Sequence, residues 1–202
     1  MGPGAEIARG GRKPVEVPAA SLGRLFAFLV DALLLTSFLF VFSVALDAAV
    51  GPAVSFGPEE GGAGNGVVVH PGRVILAAIV NVALGAVYFV GSWARGSGEA
   101  LPATPGQRLL RIAVRQAGLP RPMTLAQATA RWLLLMGPAS LGALLASLAP
   151  GLRVPVALVV LAWYLILLVT SLGSPAGRGL HDRFSGSIVT VRARPAGPPS
   201  LP

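Results

Sequence analysis

Four long apolar stretches divide the chain, at residues 25–46, 74–93, 132–148 and 154–172. A bilayer-crossing helix needs about 20 mostly apolar residues, so each stretch predicts a membrane span. The third is short and carries Gly137-Pro138, which predicts a kinked span or a re-entrant segment, because Pro removes a backbone donor and bends a helix. Two weaker patterns lie between and after the spans. Leu110, Ile112 and Val114 alternate with Arg111, Ala113 and Arg115, and the segment Ser187–Val191 follows Gly186. Both have the period of two expected of strands, and 111–115 is predicted to pair with Ser187–Val191 as a small surface ribbon. Thr124, with Gln127 three residues on, predicts a helix N-terminus with a capping box. The fold class is therefore an all-α membrane protein: a four-helix transmembrane bundle, with its third span short and kinked, plus a two-stranded β-ribbon. The Gly- and Pro-rich segment 51–72 reads as a flexible loop.

Composition agrees. Of 202 residues, 53% are hydrophobic and 12% charged, against about 25% charged in soluble domains. The apolar core of the first stretch is too long for the ~7–15 residues of a signal peptide, so it reads as a retained span. Cys is absent, which excludes disulfides and thiol chemistry, and the two His are too far apart to suggest a metal site. The net charge of +8 is a topology signal more than a nucleic-acid footprint. Fourteen of the sixteen Lys and Arg fall before span one, between spans two and three, or after span four. Only Arg73 and Arg153 fall on the other side, which predicts both termini in the cytoplasm. The domain organisation follows: a disordered tail over 1–20, a transmembrane domain over 21–192, and a disordered tail over 193–202.

One residue breaks the apolar pattern of the first span. Asp31 lies about 10 Å inside its cytoplasmic boundary, and an ionisable group at such a depth marks a functional site by default. Arg24 opens the same span. Seven residues of helix separate the two by ~10.5 Å, and helical side chains lean toward the N-terminus, so Arg24 and Asp31 need separate partners. Arg24 is expected to pair with Asp182, beyond the fourth span. Asp31 has three candidate partners, Arg131, Tyr88 and Asn81. His181, beside Asp182, is a group that can titrate near neutral pH. Trp93, Trp132 and Tyr164 read as interface or lipid anchors, and Asp47 as solvated.

The order of these features resembles the RDD family of bacterial membrane proteins, named for one arginine and two aspartates. The matching residues are Arg24, Asp31 and Asp182. Supporting segments are Thr104-Pro105-Gly106-Gln107-Arg108-Leu109 and Leu180-His181-Asp182-Arg183-Phe184-Ser185-Gly186. Gln107 and Ser187 depart from the family's common Lys and Thr. The resemblance implies a plasma-membrane location, with transport as the group's proposed role. No nucleophile elbow, phosphate-binding loop or dinucleotide fingerprint is present, so no enzyme activity and no cofactor are expected. Two readings follow for the Arg/Asp set. In one, Asp31 exchanges a proton or monovalent cation in a small solute carrier. In the other, the set ties helices together in a membrane scaffold. The lipid bilayer is the expected partner, and so few spans suggest a homodimer.

Overall fold

A computed structural model describes residues 17–58, 65–95, 102–119 and 121–191. Helix α1 (Ser21–Val50) is followed by a hairpin of β1 (Val54–Pro58) and β2 (Asn65–Val69), then by α2 (Pro71–Ala94). A five-residue helix α3 (Pro105–Leu109) leads into β3 (Ile112–Gln116) and α4 (Leu125–Leu148). A single 3-10 turn joins α4 to α5 (Arg153–Leu172), and α6 (Leu180–Phe184) precedes β4 (Ser187–Val191). The helices α1, α2 and α4, and α5 with its preceding turn, are each long and apolar enough to cross a membrane. Their outer faces carry exposed Leu, Val, Ile and Phe, while the buried set includes Asp31, Thr104, Arg131, Asp182 and Thr190. An apolar outer surface over buried polar groups suits hydrocarbon as solvent, where polar groups must find partners inside the protein.

The third span is a full one. α4 begins at Leu125, seven residues before the apolar run that the sequence exposes, because Gln127 and Arg131 belong to it. Thr124 caps it as expected, its Oγ1 accepting the Gln127 N–H at 3.2 Å and Gln127 Oε1 accepting the Thr124 N–H at 3.0 Å. Pro138 sits inside the helix and leaves the Leu134 carbonyl without its usual donor. The Trp163 Nε1–H of α5 donates to that carbonyl at 2.8 Å, and the Tyr164 hydroxyl donates to Leu135 O at 2.7 Å. Tyr164 is therefore a helix-to-helix tie rather than a lipid anchor. Trp93 and Trp132 also depart from the anchor expectation, being buried in the core. Trp163→Phe should cost about 1 kcal/mol of stability in detergent by leaving the Leu134 carbonyl unpaired. In a Pro138→Ala background, which resupplies the N–H, the same change should cost almost nothing. Equal losses in both backgrounds would disprove the compensation.

The ribbon forms as expected, shifted by one residue: Ile112 faces Val191 and Gln116 faces Ser187 in an antiparallel register. It is not isolated. Val17 to Ala19 lie along the free edge of β4, with Ala19 N–H donating to Val189 O and Val191 N–H to Val17 O, each at 3.0 Å. Residues 17–20 therefore differ from the disordered tail expected of them; 1–16 and 192–202 lie outside the described residues. A second correction concerns 51–72, which holds a hairpin pairing Val54 with Val69 and Phe56 with Val67. The alternation in Val54-Ser55-Phe56 and the run Val67-Val68-Val69 carry this strand signal, outweighed in the sequence reading by the surrounding Gly and Pro. The two small sheets mark opposite ends of the bundle, termed below the ribbon end and the hairpin end.

Candidate functional site

Two buried clasps at the ribbon end use the three residues singled out above. The first surrounds Asp31, which is 1% exposed. Its carboxylate accepts from the Tyr88 hydroxyl at 2.7 Å, from the Gly106 N–H at 2.8 Å, and from the Thr104 hydroxyl. Thr104 and Gly106 belong to the start of α3, whose capping box pairs Thr104 with Gln107. It has the spacing of Thr124 and Gln127, which was the available signal for a helix where the sequence suggested only a turn. Gly106 is required at this contact. A Cβ there would collide with the Ala27 backbone oxygen and lie 2.9 Å from Asp31 Cγ. Of the expected partners, Tyr88 is present. Arg131 and Asn81 are elsewhere: the first bonds Asp182 and the second lines a cavity nearer the hairpin end. Thr104 and Gly106 were missed because they lie 73 and 75 residues along the chain.

The second clasp surrounds Asp182, which has no exposed surface. It sits in the first turn of α6, and its Oδ2 accepts from the Gly179 N–H at 3.3 Å. Arg131 is its closest charge partner, donating to Oδ1, and Arg24 lies across from Oδ2 at 3.5 Å. The expected Arg24–Asp182 contact is thus present, but it is the longer of two. Arg24 also donates to Val189 O at 3.1 Å, to Ala19 O at 2.9 Å and to Gly177 O. One guanidinium thereby joins the start of α1 to the ribbon and to the loop before α6. Arg131 donates to Ser187 Oγ at 2.5 Å, and its Cζ stands 5.1 Å from the Trp93 ring centroid, within the range of a cation–π contact.

Burial pushes the Asp182 carboxyl up, but Arg131 and then His181 and Arg24 outweigh it and hold the group below the usual carboxylate range. His181, 3.6 Å from Asp182, is pushed down to about 4 by burial, with Arg131 adding to the effect and Asp182 opposing it. The ring is therefore neutral at pH 7. The unfolded chain takes up this proton near pH 6.5 and the folded one only near pH 4, so stability should fall as pH drops through that window. The slope is at most about 1.4 kcal/mol per pH unit. Asp182 contributes fully above the unfolded carboxylate pKa and is lost only below its own lowered one, outside most of this window. Thermal midpoints between pH 7.5 and 4.5 should decline for the wild type and flatten for His181→Asn; parallel curves would exclude His181 as the source.

Two cavities flank the clasps. An inner cleft of about 360 Å³ is lined by Arg24, Asp31, Phe89, Arg131 and Tyr164 among others. An outer chamber of about 600 Å³, toward the hairpin, is lined by Leu35, Asn81, Gly85, Trp132 and Met136 among others. Asp31 and Leu35 on α1, and Phe89 and Gly85 on α2, are one residue of each cavity, four positions apart. Along these helices the cavities are separated by one turn, or about 6 Å.

Four apolar helices of spanning length, with exposed apolar faces and buried, mutually paired polar groups, define a multi-pass integral membrane protein. The chain belongs to the RDD family, whose profile matches residues 18–186. That span includes Arg24, Asp31 and Asp182 and ends just before the last strand. Neither a curated protein nor a solved structure matches the chain.

Proposed function

We propose that this protein is a small proton-coupled solute carrier, without enzymatic activity, whose ribbon end faces the cytoplasm of a plasma membrane. The observation that carries this reading is the pair of cavities meeting across one helical turn, with Asp31 on the inner side of the layer. The chemistry of Asp31 supplies a coupling device. All its described partners are donors, which suits a carboxylate and opposes a bare metal cation. On gaining a proton one carboxyl oxygen turns from acceptor to donor, so the hydroxyl of Thr104 or Tyr88 must turn to accept from it, and the neutral group holds the donor-only Gly106 N–H less tightly. Gly106 is held by its backbone, so loosening it moves α3 away from Ala27. α3 carries Gln107, which accepts the Trp93 Nε1–H at 3.2 Å and lines the inner cleft. Proton uptake is thereby transmitted to the wall of the cleft.

A second reading, a non-catalytic membrane scaffold, is favoured by one specific observation. Arg24, Arg131 and Asp182 direct their described hydrogen bonds to one another, to Ser187 and to backbone groups, as a structural tie does. Flux separates the two. Pyranine-loaded proteoliposomes are pulsed with Na⁺, K⁺ or small neutral solutes, with and without a pH gradient. A carrier gives solute-dependent proton movement that Asp31→Asn abolishes while the variant stays folded. Wild-type traces identical to empty liposomes would leave the scaffold. Orientation is tested by reporters inserted at Gly62 and fused after Arg194, which should fall on opposite sides of the membrane.

A further inference from the structure

The outer chamber differs in chemistry from the inner cleft. Among the described residues, no ionisable side chain lines it. Its walls are aliphatic and small residues, interrupted by neutral polar groups such as Asn81, Thr36 and Ser140. Trp132 closes its inner end. That residue is 6% exposed, and its buried indole N–H has no acceptor among the described residues. Native interiors rarely leave such a donor unpaired. The space beside it is open on one side because residue 85 is glycine: a Cβ there would lie 3.8 Å from the indole nitrogen and 4.0 Å from Leu35 Cδ2. One turn along the same face of α2 stands Asn81, half-buried.

We propose that the outer chamber binds a small uncharged molecule with an aliphatic frame and a terminal oxygen acceptor, a carbonyl or ether, which takes the Trp132 N–H. The Asn81 amide serves a second polar group when one is present. An ionic ligand would meet no counter-charge in these walls, and desolvating it would be costly. A lipid tail fits the aliphatic walls but brings no acceptor to the indole, which lies seven residues, about 10 Å, inside the start of α4. The proposal rests on the carrier reading only in making this molecule the cargo; the binding site itself does not depend on it.

The test uses the full chain in lipid nanodiscs, titrated calorimetrically with 2-heptanone, heptanoate and heptane, with empty discs subtracted. Wild type should bind 2-heptanone saturably, and heptanoate and heptane no more than empty discs do. Trp132→Phe, which removes the donor, and Gly85→Leu, which fills the space over it, should each weaken binding about tenfold. Asn81→Leu, one turn from Gly85 and outside the buried core cluster that holds Trp132, should leave ketone binding near wild type but abolish the added affinity of a hydroxyketone such as 1-hydroxy-2-heptanone. Absence of saturable 2-heptanone binding, equal affinity for heptane, or unchanged affinity in Gly85→Leu would overturn the proposal. So would phospholipid retained by wild type and lost from Gly85→Leu in native mass spectra. Saturable binding without flux would refute the carrier and leave this site standing.

Discussion

Asp182→Ala should lower stability by about 3–5 kcal/mol, the range for removing one partner of a buried ion pair. The loss arises because Arg24 and Arg131 are left facing each other with no counter-charge, at a site where the carboxylate has no exposed surface. The two arginines are not equivalent. Arg131 is the closer partner and has little exposed side chain, whereas Arg24 sits at 3.5 Å and keeps carbonyl acceptors at Ala19 and Val189 when the carboxylate is gone. Double-mutant cycles with Asp182→Asn should therefore give a larger coupling energy for Arg131→Met than for Arg24→Met. Unfolding in detergent micelles followed by circular dichroism supplies the four corners of each cycle. A larger coupling to Arg24 would overturn the assignment of Arg131 as the main partner.

Gly106→Ala should be the most damaging alanine substitution among the described glycines. The added carbon meets the Ala27 carbonyl oxygen, a backbone atom in the middle of a helix, and lies 2.9 Å from the Asp31 carboxyl carbon. Neither can yield without parting α3 from α1. Overpacking costs typically 1–3 kcal/mol, and the displaced Gly106 N–H, unpaired in the interior, adds about as much again. Ala27→Gly should not rescue it, because the obstacle is main chain. Gly142 gives a useful contrast. A Cβ there would lie 2.9 Å from Val160 Cγ2 and 3.0 Å from Val156 Cγ1, both side-chain methyls, so Gly142→Ala should be rescued by Val160→Ala. Melting temperatures of the four variants decide the matter; rescue of Gly106→Ala by Ala27→Gly would show that the contact is softer than the geometry states.

Some of this architecture is legible in the chain and some is not, for physical reasons. α1, α2 and α5 announce themselves because hydrocarbon selects for apolar length, and length survives in a one-dimensional reading. The start of α4 was legible as well, since Thr124 and Gln127 signal a helix running from Leu125 through Arg131 into the third apolar run, but nothing local shows that Arg131 is an interior residue, which depends on Asp182 being brought to it. The ribbon was legible from its period of two. Residues 17–19 were not, since Pro18 breaks any strand pattern and their pairing depends on an edge of β4 supplied by the other end of the chain. For the site, local helix geometry correctly separated Arg24 from Asp31. It could name Tyr88 but not choose among partners for Asp31, because the other two donors are the hydroxyl that caps a five-residue helix and a backbone N–H in its first turn, types too common to signal anything at a distance. Likewise nothing in Trp163-Tyr164 shows that these rings face the carbonyls around Pro138, since that depends on the relative height of two helices.

The contact between Arg24 and Asp182 spans 158 positions of sequence, and this separation has a temporal meaning. At the ribosome's pace of about 5–20 residues per second, roughly 8–30 s pass between synthesis of the arginine and synthesis of its partner. Asp31 waits about half as long for Thr104 and Gly106. Through that interval the first span holds a carboxylate and a guanidinium that its own helix does not neutralise. The nascent chain is thus exposed to the insertion machinery and to membrane proteases until α6 and β4 emerge. A chain that stops before α6 would complete the Asp31 clasp but leave Arg24 and Arg131 permanently without their carboxylate, so early termination is expected to yield a degradation substrate rather than a smaller working protein.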